Sequence, residues 1–215
     1  MTTSTHTLIL HGTRLSGHVH RVELLLHMLG LRYELVDAPA AVRDGAAFRA
    51  MNPLGQIPVL QDGDLVLADS NAILTYLARR YAPAGGWLSD DPVEAAEITR
   101  WLSIAAGELR FGPAMARAVT LWNMDGDLSR AHAIAGRLLA FMEQHLATRA
   151  FLATRAFQAA GRPTLADLAC YGYVAHAPEG GVALDAYPAV RAWLARVEAL
   201  PGFVPMPDST PPVRT

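Results

Sequence analysis

The chain has 215 residues, of which 52% are hydrophobic and 18% are charged, and its formal net charge is -2. This much apolar material supports a sizeable core, in one large domain or two small ones, and excludes disorder for most of the chain. A weakly acidic chain without a basic face also argues against nucleic acid as a partner.

A single cysteine, Cys170, excludes a disulfide framework within the chain and any CxxC redox or zinc motif. It lies in a predicted helix among apolar residues, where a free cysteine behaves as a small buried hydrophobe. No stretch reaches the ~18 consecutive apolar residues of a membrane span, and residues 1–7 lack the pattern of a signal peptide. We expect a cytoplasmic protein that makes no membrane contact.

Strand and helix signals alternate over the first part of the chain. Residues 8–10 form an apolar run typical of a buried strand, and a loop with glycine at both ends follows it. Helical spacing then recurs up to Gly30, which is placed to end that helix; the apolar positions are Val22, Leu25, Leu26 and Leu29. A second strand is expected at residues 32–37 and a short polar helix at residues 45–50.

Two further strands, at residues 57–60 and 65–67, flank Asp62-Gly63, which is a strong signal for a tight hairpin. The next helix begins after Asp69 and is stopped by Pro83. The resulting order is β-α-β-α-β-β-α, with a parallel first pair and an antiparallel last pair of strands. This order predicts an α/β domain with a thioredoxin-like layer arrangement over residues 1–82.

Strand signals are missing beyond residues 83–91, which are rich in Pro, Gly and Asp and predict a linker. Helical periodicity then returns at residues 98–109, 128–146, from residue 164 onward, and at 190–200. Thr164 and Asp167 form a variant of the capping box at the start of the third of these helices. We therefore expect residues 92–215 to form an all-α helical bundle domain with a proline-rich tail.

Ser16 is the first residue whose position suggests chemistry. It stands at the loop-to-helix junction Leu15-Ser16-Gly17-His18, where a helix start concentrates partial positive charge and unpaired N–H groups. A hydroxyl there can donate to a thiolate and favour its ionised form. The alternative is that Ser16 is only an N-cap, and position alone favours that alternative.

Two later segments are candidates for binding a peptide. Pro58 lies inside the predicted strand, which indicates an unpaired edge or a special turn. A cis Ile57-Pro58 bond would turn the Ile57 backbone outward, although X-Pro bonds are usually trans. At Asp69-Ser70, an aspartate cap would place the Ser70 N–H and hydroxyl to hold a carboxylate, and a plain helix cap is again the alternative.

Together these motifs resemble a known family. Ser16-Gly17, the run Asn52-Pro53-Leu54-Gly55-Gln56-Ile57-Pro58-Val59-Leu60, and Asp69-Ser70 resemble, in this order, the N-terminal domain of the glutathione transferases. The run Pro163-Thr164-Leu165-Ala166-Asp167 resembles the capped core helix of that family's C-terminal domain. The resemblance covers residues 8–207, and the serine at position 16 is similar to the serine-using branches rather than to those that use cysteine.

The resemblance implies a catalytic Ser16, which contacts the glutathione sulfur. It also implies a glutathione site with residues from all three segments: His18, Gln56, Ile57, Pro58, Asp69 and Ser70. In the family, the residue before a cis proline pairs with the cysteinyl backbone of glutathione, and the acidic-serine pair holds the γ-glutamyl end. Relatives often carry Glu at position 69 and Asn at position 18, and the role of His18 stays open.

The implied reaction joins the glutathione thiolate to a small hydrophobic electrophile in a homodimeric enzyme. Glutathione is a co-substrate, and no metal or organic cofactor is expected, because the spacing of the histidines suggests no metal site. The electrophile pocket is expected between the domains, with a wall of Leu15, Phe111, Met115 and Trp122, although plain core positions are the alternative. Two rival functions remain: a glutathione-dependent peroxidase or disulfide-bond reductase, and a non-catalytic glutathione-binding module.

Overall fold

The computed structural model describes residues 7–84, 86–153, 161–207 and 209. It divides into two compact units. The first contains the residues up to Leu88 together with Pro201–Met206, and the second contains Ser89–Leu200 and the residues from Pro207 onward. None of the described helices is long and apolar enough to cross a lipid bilayer.

The first unit is a mixed four-stranded sheet with helices, as the sequence predicts. The strands stand in the order β2-β1-β3-β4. Their bounds are β1 Leu8–Gly12, β2 Tyr33–Asp37, β3 Val59–Asp62 and β4 Leu65–Ala68. The helices are α1 Gly17–Met28, α2 Ala40–Arg43, α3 Ala46–Met51 and α4 Ser70–Tyr81. The predicted parallel first pair and antiparallel last pair of strands are confirmed.

The register of the sheet brings three segments to one edge. His11 pairs with Val59, and Val59 pairs with Ala68, so these residues form one row across three strands. The chain leaves that row toward Ser16 after β1, enters it from Pro58 before β3, and leaves it toward Asp69 after β4. All three candidate segments of the sequence therefore lie just beyond the same row of residues.

The strand predicted at residues 57–60 begins later, at Val59. The reason is its position: β3 lies between β1 and β4 and gives hydrogen bonds to both neighbours. A proline cannot donate to such a ladder, so Pro58 must precede the strand. The short helix α2 was not predicted, because its four residues are too few to show a helical period.

The second half of α4 is fixed to the β3–β4 hairpin through Asp62. The carboxylate accepts a hydrogen bond from the Tyr76 hydroxyl at 2.7 Å and another from the Tyr81 hydroxyl. Burial, followed by the hydrogen bond to Asp62, raises the pKa of Tyr76 to about 12, so Tyr76 remains a donor at neutral pH. The predicted Asp62-Gly63 hairpin is confirmed, with Gly63 at φ +60.

The described part of the second unit contains helices and no strand. The α-helices are α5 Pro92–Ala106, α6 Glu108–Phe111, α7 Pro113–Trp122, α8 Leu128–Leu146, α9 Leu165–Ala175 and α10 Pro188–Glu198. A 3-10 turn, Ala177–Gly180, follows α9. The helix predicted at residues 98–109 breaks at Gly107, which is the C-cap of α5 and the N-cap of α6.

The predicted capping box at the start of α9 is confirmed. Asp167 is fully buried and accepts hydrogen bonds from the Thr164 N–H, the Leu152 N–H and the Trp193 indole N–H, each at 2.9 Å. One carboxylate thus joins the helix start, the preceding segment and α10. Its burial without these donors would be costly, because an ionised group needs hydrogen-bond partners away from water.

We expect Asp167→Ala to lower the free energy of unfolding by about 3–5 kcal/mol, because three buried donors lose their acceptor at once. The measurement is urea unfolding of the full chain, followed by circular dichroism. Asp185→Ala, at an exposed aspartate, is the control and should change that free energy by less than about 0.5 kcal/mol. A loss below about 1 kcal/mol for Asp167→Ala would contradict this account.

Candidate active site

The first part of the site is the junction between β1 and α1. A Cβ on Gly12 would lie only 2.4 Å from Val19 Cγ2, so glycine permits the close approach of the strand end to the first turn of the helix. Ser16 has extended backbone, and its Oγ accepts a hydrogen bond from the Val19 N–H at 3.4 Å. Ser16 is therefore the N-cap that the sequence favours.

Capping leaves the Ser16 proton available. A serine hydroxyl has two lone pairs and one proton, and an N-cap uses only a lone pair. The side chain is half-buried rather than enclosed, so a ligand at the helix start can accept a hydrogen bond from the Ser16 hydroxyl. The cap and the proposed sulfur contact are thus compatible functions of the same group.

The second part is the loop before β3. The Asn52 side chain is buried; it accepts a hydrogen bond from the Leu54 N–H at 3.2 Å and donates one to the Gln56 carbonyl at 2.8 Å. Gly55 has φ +63, a conformation that favours glycine. The Ile57-Pro58 bond is cis, as the resemblance implies. Among the residues that the structure describes, the Ile57 N–H and C=O have no hydrogen-bond partner.

Within this loop, Gln56, Ile57 and Pro58 differ in how far their side chains are exposed. The Ile57 side chain packs against a small core cluster of Ala38, Phe48 and Val59, which leaves its backbone as the polar group at this edge. The Gln56 side chain is exposed, and its main contact with the protein is through the carbonyl that Asn52 holds. Pro58 is buried directly before the strand.

The third part is the start of α4. Asp69 caps the helix by accepting hydrogen bonds from the N–H groups of Asn71, at 2.9 Å, and Ala72, at 3.0 Å. Its φ of 75 is unusual for a residue with a side chain, and such strain is concentrated at functional positions. Ser70 is 4% exposed, and its own N–H has no partner within the described chain.

Side chains from α1 join the first and third parts. His18 Nδ1 lies 3.4 Å from Ser70 Oγ, and α1 packs against α4. Arg21 is 1% exposed; its Nη1 donates to Ser70 Oγ at 3.2 Å and to Asn71 Oδ1 at 3.0 Å. Arg21 was not among the predicted site residues. The available signal was a cation within the apolar stripe of α1, directly before Val22.

The four residues predicted to form a wall for an electrophile differ in exposure. Phe111, at the end of α6, is 54% exposed, and Trp122, at the end of α7, is 46% exposed. Met115 and Leu15 are half-buried. The alternative that these residues are plain core positions is therefore wrong for Phe111 and Trp122. The guanidinium of the buried Arg117 lies 4.9 Å from the Trp122 ring centroid and holds one face of that ring.

The described residues contain no group of three or more His, Cys, Asp or Glu side chains that could hold a metal ion. Cys170 is 1% exposed within α9, with its Sγ 4.0 Å from the Trp101 carbonyl oxygen. It thus occupies the small buried apolar position that its neighbours predict.

The fold and the site together define a thioredoxin-like domain with three candidate binding segments at one sheet edge, followed by an all-helical domain. Two family models match the chain: the glutathione S-transferase N-terminal domain over residues 10–85, and the glutathione S-transferase C-terminal domain over residues 128–201. The curated protein glutathione S-transferase 3 of Zea mays is 33% identical over an alignment of 208 residues, and the match covers 90% of this chain and 90% of that one.

Solved structures agree with these matches. A glutathione S-transferase from Pseudomonas fluorescens Pf-5 is 30% identical with a TM-score of 0.84, and the match covers 94% of this chain and 100% of that one. A theta class glutathione S-transferase from Xanthomonas axonopodis pv. citri, solved with glutathione bound, is 29% identical with a TM-score of 0.78, covering 91% and 94% of the two chains. The chain belongs to the glutathione S-transferase family of enzymes.

Proposed function

We propose that the protein conjugates the thiolate of glutathione to small hydrophobic electrophiles, with Ser16 as the group that activates the sulfur. The observation that carries the proposal is the row of paired residues in the sheet, because it places Ser16, Ile57 and Ser70 beyond the same edge. A donor, a free peptide backbone and a second donor at a helix start match the thiol, the peptide backbone and the carboxylate of a γ-glutamyl peptide.

The energetics of thiol activation are within reach of this site. A free thiol has a pKa of about 8.5. Lowering that pKa by two units requires a free energy of about 2.7 kcal/mol that favours the thiolate over the thiol. One hydrogen bond to a charged group contributes roughly 1.5–3 kcal/mol, and a helix N-terminus adds about 0.3–1 kcal/mol. The Ser16 hydroxyl and the start of α1 can therefore supply the shift.

The contacts proposed for glutathione divide along its length. The Ile57 N–H and C=O pair with the cysteinyl backbone, beside Pro58 and the carbonyl of Gln56. Ser70 binds the γ-glutamyl carboxylate through its N–H and hydroxyl, with Asp69 and His18 next to it. Binding of glutathione itself is supported by the relative from Xanthomonas axonopodis pv. citri, whose structure contains glutathione.

For the electrophile, we propose a flat apolar molecule that packs on exposed aromatic surface. Phe111 and Trp122 are each about half exposed, and Arg117 fixes one face of the Trp122 ring. Met115 and Leu15 are the other proposed contacts. Parallel assays with a chlorinated aromatic, an organic peroxide and a glutathionylated disulfide test this activity against peroxidase, disulfide reductase and purely binding functions. Turnover of the chlorinated aromatic supports conjugation.

We also propose a cytoplasmic homodimer. Closed two-fold dimers are the commonest oligomers, and exposed apolar side chains such as Leu54, at 75%, and Val93, at 59%, are candidates for burial against a second copy. Light scattering at micromolar concentration should give twice the monomer mass of 23.1 kDa. A mass equal to the monomer across a dilution series would contradict the dimer.

We expect Ser70→Ala to raise the Michaelis constant for glutathione more than that for the electrophile, because only glutathione carries the carboxylate that Ser70 binds. The Michaelis constant for glutathione should rise by about ten- to hundredfold, as for the loss of one hydrogen bond to a charged group. Thr75→Ala, which removes an exposed hydroxyl from the same helix, is the matched control and should leave both constants unchanged. Equal increases for the two substrates would refute the assignment.

We expect Ser16→Ala to lower turnover by about ten- to hundredfold and to raise the pKa of the pH–rate profile, because the thiolate loses its donor. The variant should also lose about 1 kcal/mol of stability, because Ser16 caps α1. Asp127→Ala removes the N-cap of α8 instead and serves as the control. It should lose similar stability and keep the pH–rate profile.

The pH dependence separates the two functions of Ser16. If both variants keep the wild-type profile and turnover, Ser16 is only a cap and has no part in thiol activation.

A further inference from the structure

Arg21 is a cation enclosed at the back of the glutathione site. Its side chain is 1% exposed on α1, within a helix face that is otherwise largely apolar. Burial of a charge is expensive, so a guanidinium in such a place requires partners. Two of its partners, Ser70 Oγ at 3.2 Å and Asn71 Oδ1 at 3.0 Å, are uncharged groups in the first turn of α4.

The chemistry of arginine fixes the direction of the hydrogen bond to Ser70. A guanidinium has donors and no acceptor and stays charged at any physiological pH. Ser70 Oγ must therefore be the acceptor, and its proton is directed to a different group. That proton is free to go to His18 Nδ1, at 3.4 Å, or to a ligand at the start of α4.

A carboxylate fits this arrangement better than a neutral group. A carboxylate can accept a hydrogen bond from the Ser70 hydroxyl and another from the Ser70 N–H at the helix start. Its negative charge also lies opposite a fixed positive charge in a poorly solvated place, where the attraction is weakly screened. The Asp69 carboxylate, by contrast, is occupied by the N–H groups of Asn71 and Ala72.

We propose that Arg21 is a positioning residue that makes the γ-glutamyl subsite selective for the α-carboxylate, by orienting the Ser70 hydroxyl and supplying the positive charge behind it. This inference rests on the proposed binding of glutathione. It assigns to Arg21 the carboxylate preference of the subsite rather than a general role in holding α1 against α4.

The test measures binding of three ligands to the full chain by calorimetry. The ligands are glutathione, 4-aminobutyryl-cysteinylglycine, which lacks only the α-carboxylate, and glutaryl-cysteinylglycine, which lacks only the α-amine. The proteins are the wild type, Arg21→Met, Arg21→Gln and Arg21→Lys, with Arg32→Met as a control at an exposed arginine. Circular dichroism establishes that each variant is folded.

In the wild type and Arg32→Met, we expect glutathione to bind about ten- to hundredfold more tightly than the analogue without the carboxylate. In Arg21→Met this ratio should fall to roughly threefold or less, and Arg21→Lys should restore part of it, because a charge without the planar fork remains. The ratio of glutathione to the analogue without the amine should stay unchanged in every variant.

Three outcomes overturn the proposal. If Arg21→Met weakens all three ligands equally, Arg21 is structural only; if the carboxylate preference persists in Arg21→Met, the charge is not responsible. If the wild type does not bind glutathione, the proposed function fails and this inference fails with it. Should Arg21→Met not fold, Arg21→Gln decides, because it replaces the charge with a neutral polar group: a reduced preference supports the proposal and an unchanged one overturns it.

Discussion

The antiparallel pairing of β3 with both of its neighbours is the constraint on which the first unit depends. Val59 and Leu60 are almost fully buried, so a shift of one residue would turn these side chains to the opposite face of the sheet. The same shift would move Ile57 and Pro58 relative to the ends of β1 and β4. Packing in the sheet therefore fixes the spacing of the polar groups beyond its edge.

Capping hydrogen bonds at the helix starts serve both the fold and the site, but serine and aspartate caps are not equivalent. Ser16 caps α1 with a lone pair and retains a proton for a ligand. Asp69 caps α4 with an acceptor and has no proton to offer, so the donor at that position is Ser70. Asp167, fully buried, uses its carboxylate entirely within the protein. The chemistry of each cap thus decides whether the capping side chain itself can donate a hydrogen bond to a ligand.

Much of this architecture could be predicted from the sequence because the signals are local. Apolar periodicity gave α1, α4 and α8, and the Asp62-Gly63 pair gave the hairpin. The cis geometry at Pro58 followed from family resemblance, because local propensity favours trans. The contacts of Arg21 and His18 with Ser70 could not be predicted, since they join residues about 50 positions apart. A periodicity argument also treats an arginine in an apolar stripe as an exception rather than as a partner for another helix.

The segment Pro201–Met206 has a consequence for the modularity of the chain. It belongs to the first unit, where the Val204 carbonyl oxygen lies 2.8 Å from His20 Nε2 and where any Cβ on Gly202 would lie 3.0 Å from the Met28 Cα. In topological terms, the chain leaves the thioredoxin-like unit after Leu88, returns to it for Pro201–Met206, and rejoins the helical unit from Pro207 onward. A single cut in the linker therefore separates neither unit intact, because the N-terminal fragment then lacks Pro201–Met206, the strap that contacts α1. Shuffling of the two domains between relatives would have to exchange this strap together with the N-terminal piece.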